Sequence, residues 1–408
     1  MLFSSVSRAY TILLLLLTLV ITARVLGPDG RGMVAAVVAW AGVFATVGNL
    51  SIGQSTLYHV VKEKDENWLP TVFGSLLFIL ATVSFISWGG GAATYILTGG
   101  DAFSNYPVTI LLIGAAMIPF MVWNSYGNAL MVALNEVTLF NKMLISTRTI
   151  GFVFLCLFLF TLGVQGVLWA NLISISLLSI FIFTYIWSKK KTPIKFYKNT
   201  AIPLLKNGLY AHPATIGSYL IFTADVIMIN YYMGATSTGY YQLAVEFLGA
   251  ALLIIQSIAT VLQGHVSEIG ANKAWKLQRK YIKYTMFIVA AGVIVAYFAI
   301  PYVLPVIVGD QFGPSLPILQ IMLFTLLGHA LSCLMASQWI ARGLLKEISA
   351  ITVFVGAVNV FMNYILIPEY GMYGALFASI IAALFAFIIN ICMLNVVNNT
   401  VRREAENS

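Results

Sequence analysis

The stretch "ARVLGPDGRG", residues 23–32, holds three glycines, a proline and three charges within ten residues, and apolar sequence flanks it on both sides. Gly27, Pro28, Gly30 and Gly32 are turn formers. They predict a tight corner between two apolar helices rather than one long helix. A fainter copy, "YYMGATSTGY" at residues 231–240, stands 207 residues later. It predicts a matching corner in the second half of the chain.

Working outward, the 408 residues are 60% hydrophobic and 9% charged, with a mean hydropathy of +0.92. A soluble domain carries about 25% charged residues. Apolar runs of 18 or more residues mark membrane-crossing helices, whereas barrel strands alternate in short segments. The expected fold is an all-α polytopic membrane protein. It has about twelve transmembrane helices, at residues 7–26, 34–60, 70–97, 106–133, 143–162, 165–187, 204–232, 238–264, 281–308, 315–341, 348–367 and 371–396. Residues 1–23, with Arg8 before "TILLLLLTLVITA", imitate a leader, but the spans that follow favour an uncleaved first helix.

Twelve spans put both termini on one side. With that side cytoplasmic, every one of the 22 Lys and Arg except Arg24 and Arg31 falls inside. That asymmetry fixes orientation, and a missed helix would destroy it. It also accounts for the net charge of +8 without nucleic acid. Cys156, Cys333 and Cys392 lie in apolar runs with no CxxC spacing, so free thiols are expected and no metal site.

The expected organisation is a six-helix lobe at 1–187 and a cytoplasmic linker at 188–203 ("SKKKTPIKFYKNTAIP"). A second six-helix lobe at 204–396 and a cytoplasmic tail at 397–408 follow. The linker lysines serve as a topology anchor beside membrane lipid. A shift of 207 aligns Gly27 with Gly234, Gly32 with Gly239, Gly42 with Gly249 and Trp68 with Trp275. A shift of 208 aligns "GVQGVLWA" (163–170) with "GMYGALFA" (371–378). Halves with even span counts share one orientation, so the repeat is parallel, with two lobes around a central cavity.

Helical spacing places Gln242, Glu246, Gly249, Gln256, Thr260 and Gln263 on one face of the eighth span. The equivalent stripe of the second span includes Gly42, Thr46 and Asn49. Polar side chains inside a membrane face a cavity or a partner, although small and hydroxyl residues also pack helices together. Asp225 and Glu246 are the acids within spans, and Arg24 can pair with either if those helices converge. The transport-cavity candidates are therefore Arg24, Asn49, Asp225, Glu246, Gln256 and Gln263. His212, Arg31 and Arg148 are candidates for coupling or gating, His212 because imidazole can carry a proton. Pro119 and Pro213 should bend their helices.

There is no phosphate-binding loop, no acidic metal cluster and no nucleophile–histidine set. The chain is not expected to be an enzyme. No bound cofactor is expected, and an energy-coupled carrier is the economical reading.

The segment "ARVLGPDGRGMVAAVVAWAGVFATVGNLSIGQS" resembles the start of Wzx-type polysaccharide flippases. They belong to the multidrug/oligosaccharidyl-lipid/polysaccharide (MOP) exporter superfamily. "TADVIMINYYMGATSTGYYQLA" (223–244), "VIVGDQFGPSLPILQIMLF" (306–324) and "NVFMNYILIPEYGMYGALFASI" (359–380) are similar to later parts of the same family. The resemblance implies a flippase for an undecaprenyl-diphosphate-linked oligosaccharide, feeding O-antigen, capsule or exopolysaccharide synthesis at the inner membrane. It also implies alternating access powered by an ion gradient, of protons or sodium, a cavity lined by helices one, two, seven and eight, and a neighbouring polymerase. Many relatives have a distinctly cationic cavity, whereas Arg8, Arg24 and Arg148 are the few interior cations here. Competing readings are a drug or small-cation exporter, a peptidoglycan-precursor flippase, or, from another class, a membrane polymerase or ligase. The last would need a large outer loop.

Overall fold

A computed structural model describes residues 2–63, 68–97, 103, 106–189 and 194–406, without the side chains of 2–9, 61–63, 189 and 404–406. Arg8 as a side chain, Lys64 and residues 190–193 of the expected linker lie outside what is described. The helices are α1 (Leu2–Asn49), α2 (Ile52–Glu63), α3 (Trp68–Leu97), α4 (Val108–Ala133), α5 (Val137–Leu162) and α6 (Val164–Thr184). After them come α7 (Lys198–Ile269), α8 (Ala271–Val308), α9 (Ser315–Met322), α10 (Thr325–Ala341), α11 (Leu345–Tyr370) and α12 (Met372–Glu406).

Ten helical stretches among the described residues are long and apolar enough to cross a membrane. Two of them, Tyr10–Val60 and Lys198–Ile269, run 51 and 72 residues. A crossing takes about 20. Each long stretch divides at one glycine, Gly27 (φ 64°, ψ −173°) or Gly234 (φ 80°, ψ −176°). Ten stretches therefore make twelve crossings, as expected.

The corners themselves differ from expectation. No loop separates the limbs: helix runs up to the glycine and resumes at Pro28 or Ala235. These dihedrals fall where a side chain would clash, so glycine is required there. Pro28 opens the second limb, where its missing N–H costs no hydrogen bond.

The 207–208-residue repeat extends to backbone detail. Gly163 (φ 55°, ψ −126°) and Gly371 (φ 58°, ψ −134°) join α5 to α6 and α11 to α12 with the same geometry. A Cβ on Gly166 would overlap the Phe158 carbonyl, and one on Gly374 the Leu366 carbonyl, again 208 residues away. Helices α4 and α10 end in the same Schellman turn. The Glu136 amide donates to the Met131 carbonyl at 2.8 Å and the Leu344 amide to the Trp339 carbonyl at 3.0 Å. The left-handed residue is Asn135 in one and Gly343 in the other.

The chain clusters into two compact units: Met1–Tyr219 with Met233–Gly239, and Leu220–Tyr232 with Tyr240–Ser408. The first has a core of Phe73, Val122, Trp123, Tyr126, Leu130 and Ile182. Trp123 and Asn124 donate to the Ser179 and Ile175 carbonyls, so these polar groups tie α4 to α6. The second unit's core includes Trp275, Leu334, Met335 and Trp339.

The helix that holds the ninth crossing begins before 281, where the crossing itself is expected to start. Gly270 (φ 87°) ends α7 and α8 starts at Ala271, so the basic segment from Lys273 to Lys283 is helix. Trp275, Gln278 and Ile282 form its buried stripe. Gln278, fully buried, donates to the Leu334 carbonyl and Ser337, and accepts from Gln338 at 2.6 Å.

One irregularity lies inside the first unit. Between α1 and α2, Leu50 and Ser51 are consecutive left-handed residues, each with φ 51°. That conformation costs a non-glycine residue about 1–2 kcal/mol. The second crossing is thus broken toward its C-terminal end.

Candidate functional site

Asp225 lies on α7's first limb, nine residues before the corner at Gly234, and is 4% exposed. Tyr241 Oη and Ser379 Oγ donate to Oδ2 at 2.5 and 2.6 Å. Asn363 Nδ2 donates to Oδ1 at 2.5 Å and to Asn359 Oδ1 at 3.1 Å. All five residues belong to the second unit. Asp225 is thus enclosed and ringed by neutral donors of its own unit. A carboxyl group inside a membrane needs such bonds.

Tyr241, Asn359, Asn363 and Ser379 were not among the expected site residues. The available signal was two asparagines at i and i+4, which share one face of α11. Tyr241 joins only because the corner at Gly234 folds α7's second limb back beside the first.

The donor set is one carboxylate, two amides and two hydroxyls. Among the described residues no group of three or more His, Cys, Asp or Glu gathers to hold a metal. A divalent ion takes more carboxylate charge than this; a monovalent cation or a proton matches one. Asn363 Oδ1 and Asn359 Nδ2 are buried with no hydrogen-bond partner of good geometry among the described residues, although the Asn359 side chain lies close enough to Asp225 to interact with it. Exchanging the oxygen and nitrogen of these amides, which is a matter of assignment, would turn an extra oxygen toward the carboxylate.

The stripe on α7's second limb opens progressively. Gln242 and Glu246 are half-buried and bonded to each other at 3.1 Å, while Gln256, Thr260 and Gln263, toward the end of α7, are exposed. Exposed amides on a membrane-crossing helix call for water or a polar ligand in place of lipid.

Around the corner at Gly27, Arg24 is exposed and Arg31 is 6% exposed. Arg31 Nη1 donates to the Leu19 carbonyl at 2.8 Å and to Thr22 Oγ1 at 3.0 Å, clamping the second limb of α1 onto the first. The two corners meet. Cβ atoms on Gly32 and Gly239 would overlap the carbonyls of Ala235 and Pro28 respectively, and Thr236 Oγ1 donates to Asp29 Oδ1 at 3.0 Å.

Asn49 ends α1 and bonds across to α4: its Nδ2 donates to Ser125 at 2.9 Å and its carbonyl accepts from Tyr126 at 3.0 Å. His212, 6% exposed, sits against the helix break, with Nδ1 3.2 Å from Ser51 Oγ. Arg148 is exposed on α5, although Leu155 and Leu159, further along the same face, are 3% and 1% exposed.

Residues 1–263 match the family model described as polysaccharide biosynthesis protein. The chain belongs to that family. An uncharacterized membrane protein of Methanocaldococcus jannaschii is 24% identical over 271 residues, which are 61% of this chain and 53% of that protein. The chain thus spans about half the length of that curated relative. Among solved structures, the lipid II flippase MurJ in an inward closed conformation superposes with a TM-score of 0.76 at 15% identity, covering 98% of this chain and 92% of that one. An inward-facing multidrug-resistance MATE transporter of the MOP superfamily gives 0.71 at 16%, covering 95% and 96%. A MOP superfamily transporter from Pyrococcus furiosus gives 0.58 at 15%, covering 96% of each. These neighbours are flippases and transporters, not enzymes, and this family member shares their fold.

Proposed function

We propose that this chain turns an undecaprenyl-diphosphate-linked oligosaccharide from the inner to the outer face of the cytoplasmic membrane, by alternating access, for surface polysaccharide synthesis. The observation that carries the reading is the exposed, uncharged stripe of Gln256, Thr260 and Gln263 on a membrane-crossing helix of a polysaccharide biosynthesis family member. Amides and hydroxyls donate and accept, which suits sugar hydroxyls. The lipid tail stays in the bilayer, and the exposed Arg24 and Arg148 are the cations available to the diphosphate. Both termini face the cytoplasm, and the product passes to a polysaccharide polymerase.

Asp225 is the ion site in this reading. It takes a proton or a sodium ion against its single charge, with the oxygens of Asn359, Asn363, Tyr241 and Ser379 around it. Loading it would favour one conformation over another, as differential binding must.

The test is deletion followed by complementation. Loss of the chain should leave the lipid-linked sugar on the inner face, and wild type but not Asp225→Ala should restore surface polysaccharide. Normal polysaccharide in a deletion strain would refute the reading. Export of a small organic cation is the second reading, favoured by the enclosed acid at Asp225. It predicts drug efflux rather than sugar-lipid accumulation.

A further inference from the structure

We infer that the break at Leu50–Ser51 and His212 together form a second ion site, in the first unit, and that its ligand is a proton held with water. Three observations meet there. Two consecutive left-handed, non-glycine residues interrupt a membrane-crossing helix, a strain that persists only where the surroundings impose it. Ser51 Oγ lies 2.7 Å from Thr215 Oγ1 and 3.2 Å from His212 Nδ1, giving a chain of two hydroxyls and an imidazole that is buried at Ser51 and His212 and half-buried at Thr215. Finally, His212 Nε2, Asn49 Oδ1 and Ser55 Oγ are buried with no partner among the described residues.

Buried polar atoms left in this way are satisfied by internal water, which takes about three such bonds. The break supplies them within four residues on either side of Ser51, with His212 facing it from α7. Whichever nitrogen of the neutral ring carries its proton, Nε2 needs a hydrogen-bond partner. Water at Nε2 provides that partner and a route for a proton.

The surrounding charges set the sign. Among the described residues, neither α4, nor 33–60 of α1 and α2, nor 198–219 of α7 carries an Asp or Glu. The titratable groups on those elements are Tyr126 on α4, Tyr58 and His59 on α2, and Lys198, Lys206, Tyr210 and Tyr219 on α7. Tyr126 and Tyr219 spend their hydroxyls on the carbonyls of Asn49 and Ala39. Among the described residues of those elements a charged imidazolium would have no anion beside it, only the Val47 carbonyl, so the packed arrangement suits the neutral ring. A proton therefore favours release of α7's inner half from the break.

The packing that would be released is close. A Cβ on Gly208 would overlap the Leu50 carbonyl, and one on Gly42 the Tyr219 hydroxyl. Pro213 follows His212 and removes one helical hydrogen bond, which gives α7 a place to yield. The proton site stands on this geometry; only the work the proton drives rests on the transport reading.

The test uses the full chain in lipid nanodiscs, with no sugar substrate. Imidazole 15N spectra, assigned by comparison with His212→Gln, should show the His212 ring passing from neutral to protonated as the pH is lowered. Hydrogen exchange of residues 47–56 and 205–219, corrected for intrinsic rates, should rise as that ring is protonated. The rise should be lost in His212→Gln. Ser51→Ala, which removes the partner of Nδ1, should shift the titration, and it carries the test if His212→Gln fails to fold. A ring that stays neutral down to the pH at which the chain unfolds, an exchange profile unchanged by His212→Gln, or a titration unmoved by Ser51→Ala would overturn the site. A ring that titrates in a chain that moves no lipid-linked sugar would support the site and refute the transport reading instead.

Discussion

Gly32 and Gly239, 207 residues apart, approach each other through their backbones: a Cβ on either would lie within 2.8 or 3.1 Å of the other's amide nitrogen. The contacts are reciprocal, since Gly32 also meets Ala235 and Gly239 meets Pro28, its repeat equivalent. Such pairing is what a two-fold relation produces. Asp29 and Thr236, themselves repeat equivalents, close the contact at 3.0 Å.

A methyl group at either glycine should prise the corners apart, since overpacking costs about 1–3 kcal/mol. In a cysteine-free background, Asp29→Cys with Thr236→Cys should crosslink readily under mild oxidation. Adding Gly239→Ala should cut the crosslinked fraction several-fold. Equal crosslinking with and without it would show that the glycines do not hold the corner shut.

Asp225 should separate stability from function. Asp225→Ala leaves Asn363, Tyr241 and Ser379 without their shared acceptor and should cost about 1–3 kcal/mol, read as a lower Tm. Asp225→Asn keeps an acceptor and should melt closer to wild type, yet both variants should lose surface polysaccharide. Full complementation by Asp225→Asn would remove the carboxylate from the mechanism.

At the repeated Schellman turns the equivalent positions carry Asn135 (φ 59°) and Gly343 (φ 74°). Asn135→Gly should stabilise the first unit slightly, and Gly343→Ala should destabilise the second by about 1 kcal/mol. Thermal melts of the single variants check the signs. A more stable Gly343→Ala would contradict the turn geometry.

Orientation is testable at the same repeat positions. Reporter fusions after Gly163 and Gly371 should report outside, and after Asn135 and Gly343 inside. A reversed report at any one would break the map of twelve crossings.

Much of the fold could be read from composition and punctuation. Gly27 and Gly234 announced the corners, and the weak 207–208-residue repeat reappears in matched dihedrals. The start of α8 was missed because its basic residues masked a buried stripe of Trp275, Gln278 and Ile282. The site was less legible. Asp225 stood out as an acid in a span, but its shell comes from three other stretches of chain, and no local pattern says which asparagine will meet it. The break at Leu50–Ser51 gave no warning, because neither residue type announces a left-handed conformation.

The most direct test of the account is translocation in a purified system. Vesicles holding the chain would be loaded with undecaprenyl-diphosphate-linked oligosaccharide in one leaflet. A sugar-modifying enzyme would be confined to the opposite side, with a proton or sodium gradient imposed. The account predicts that the sugar becomes accessible with wild-type protein and a gradient, and stays protected with Asp225→Ala. Protection with wild-type protein under both gradients, or equal access with Asp225→Ala, would contradict it.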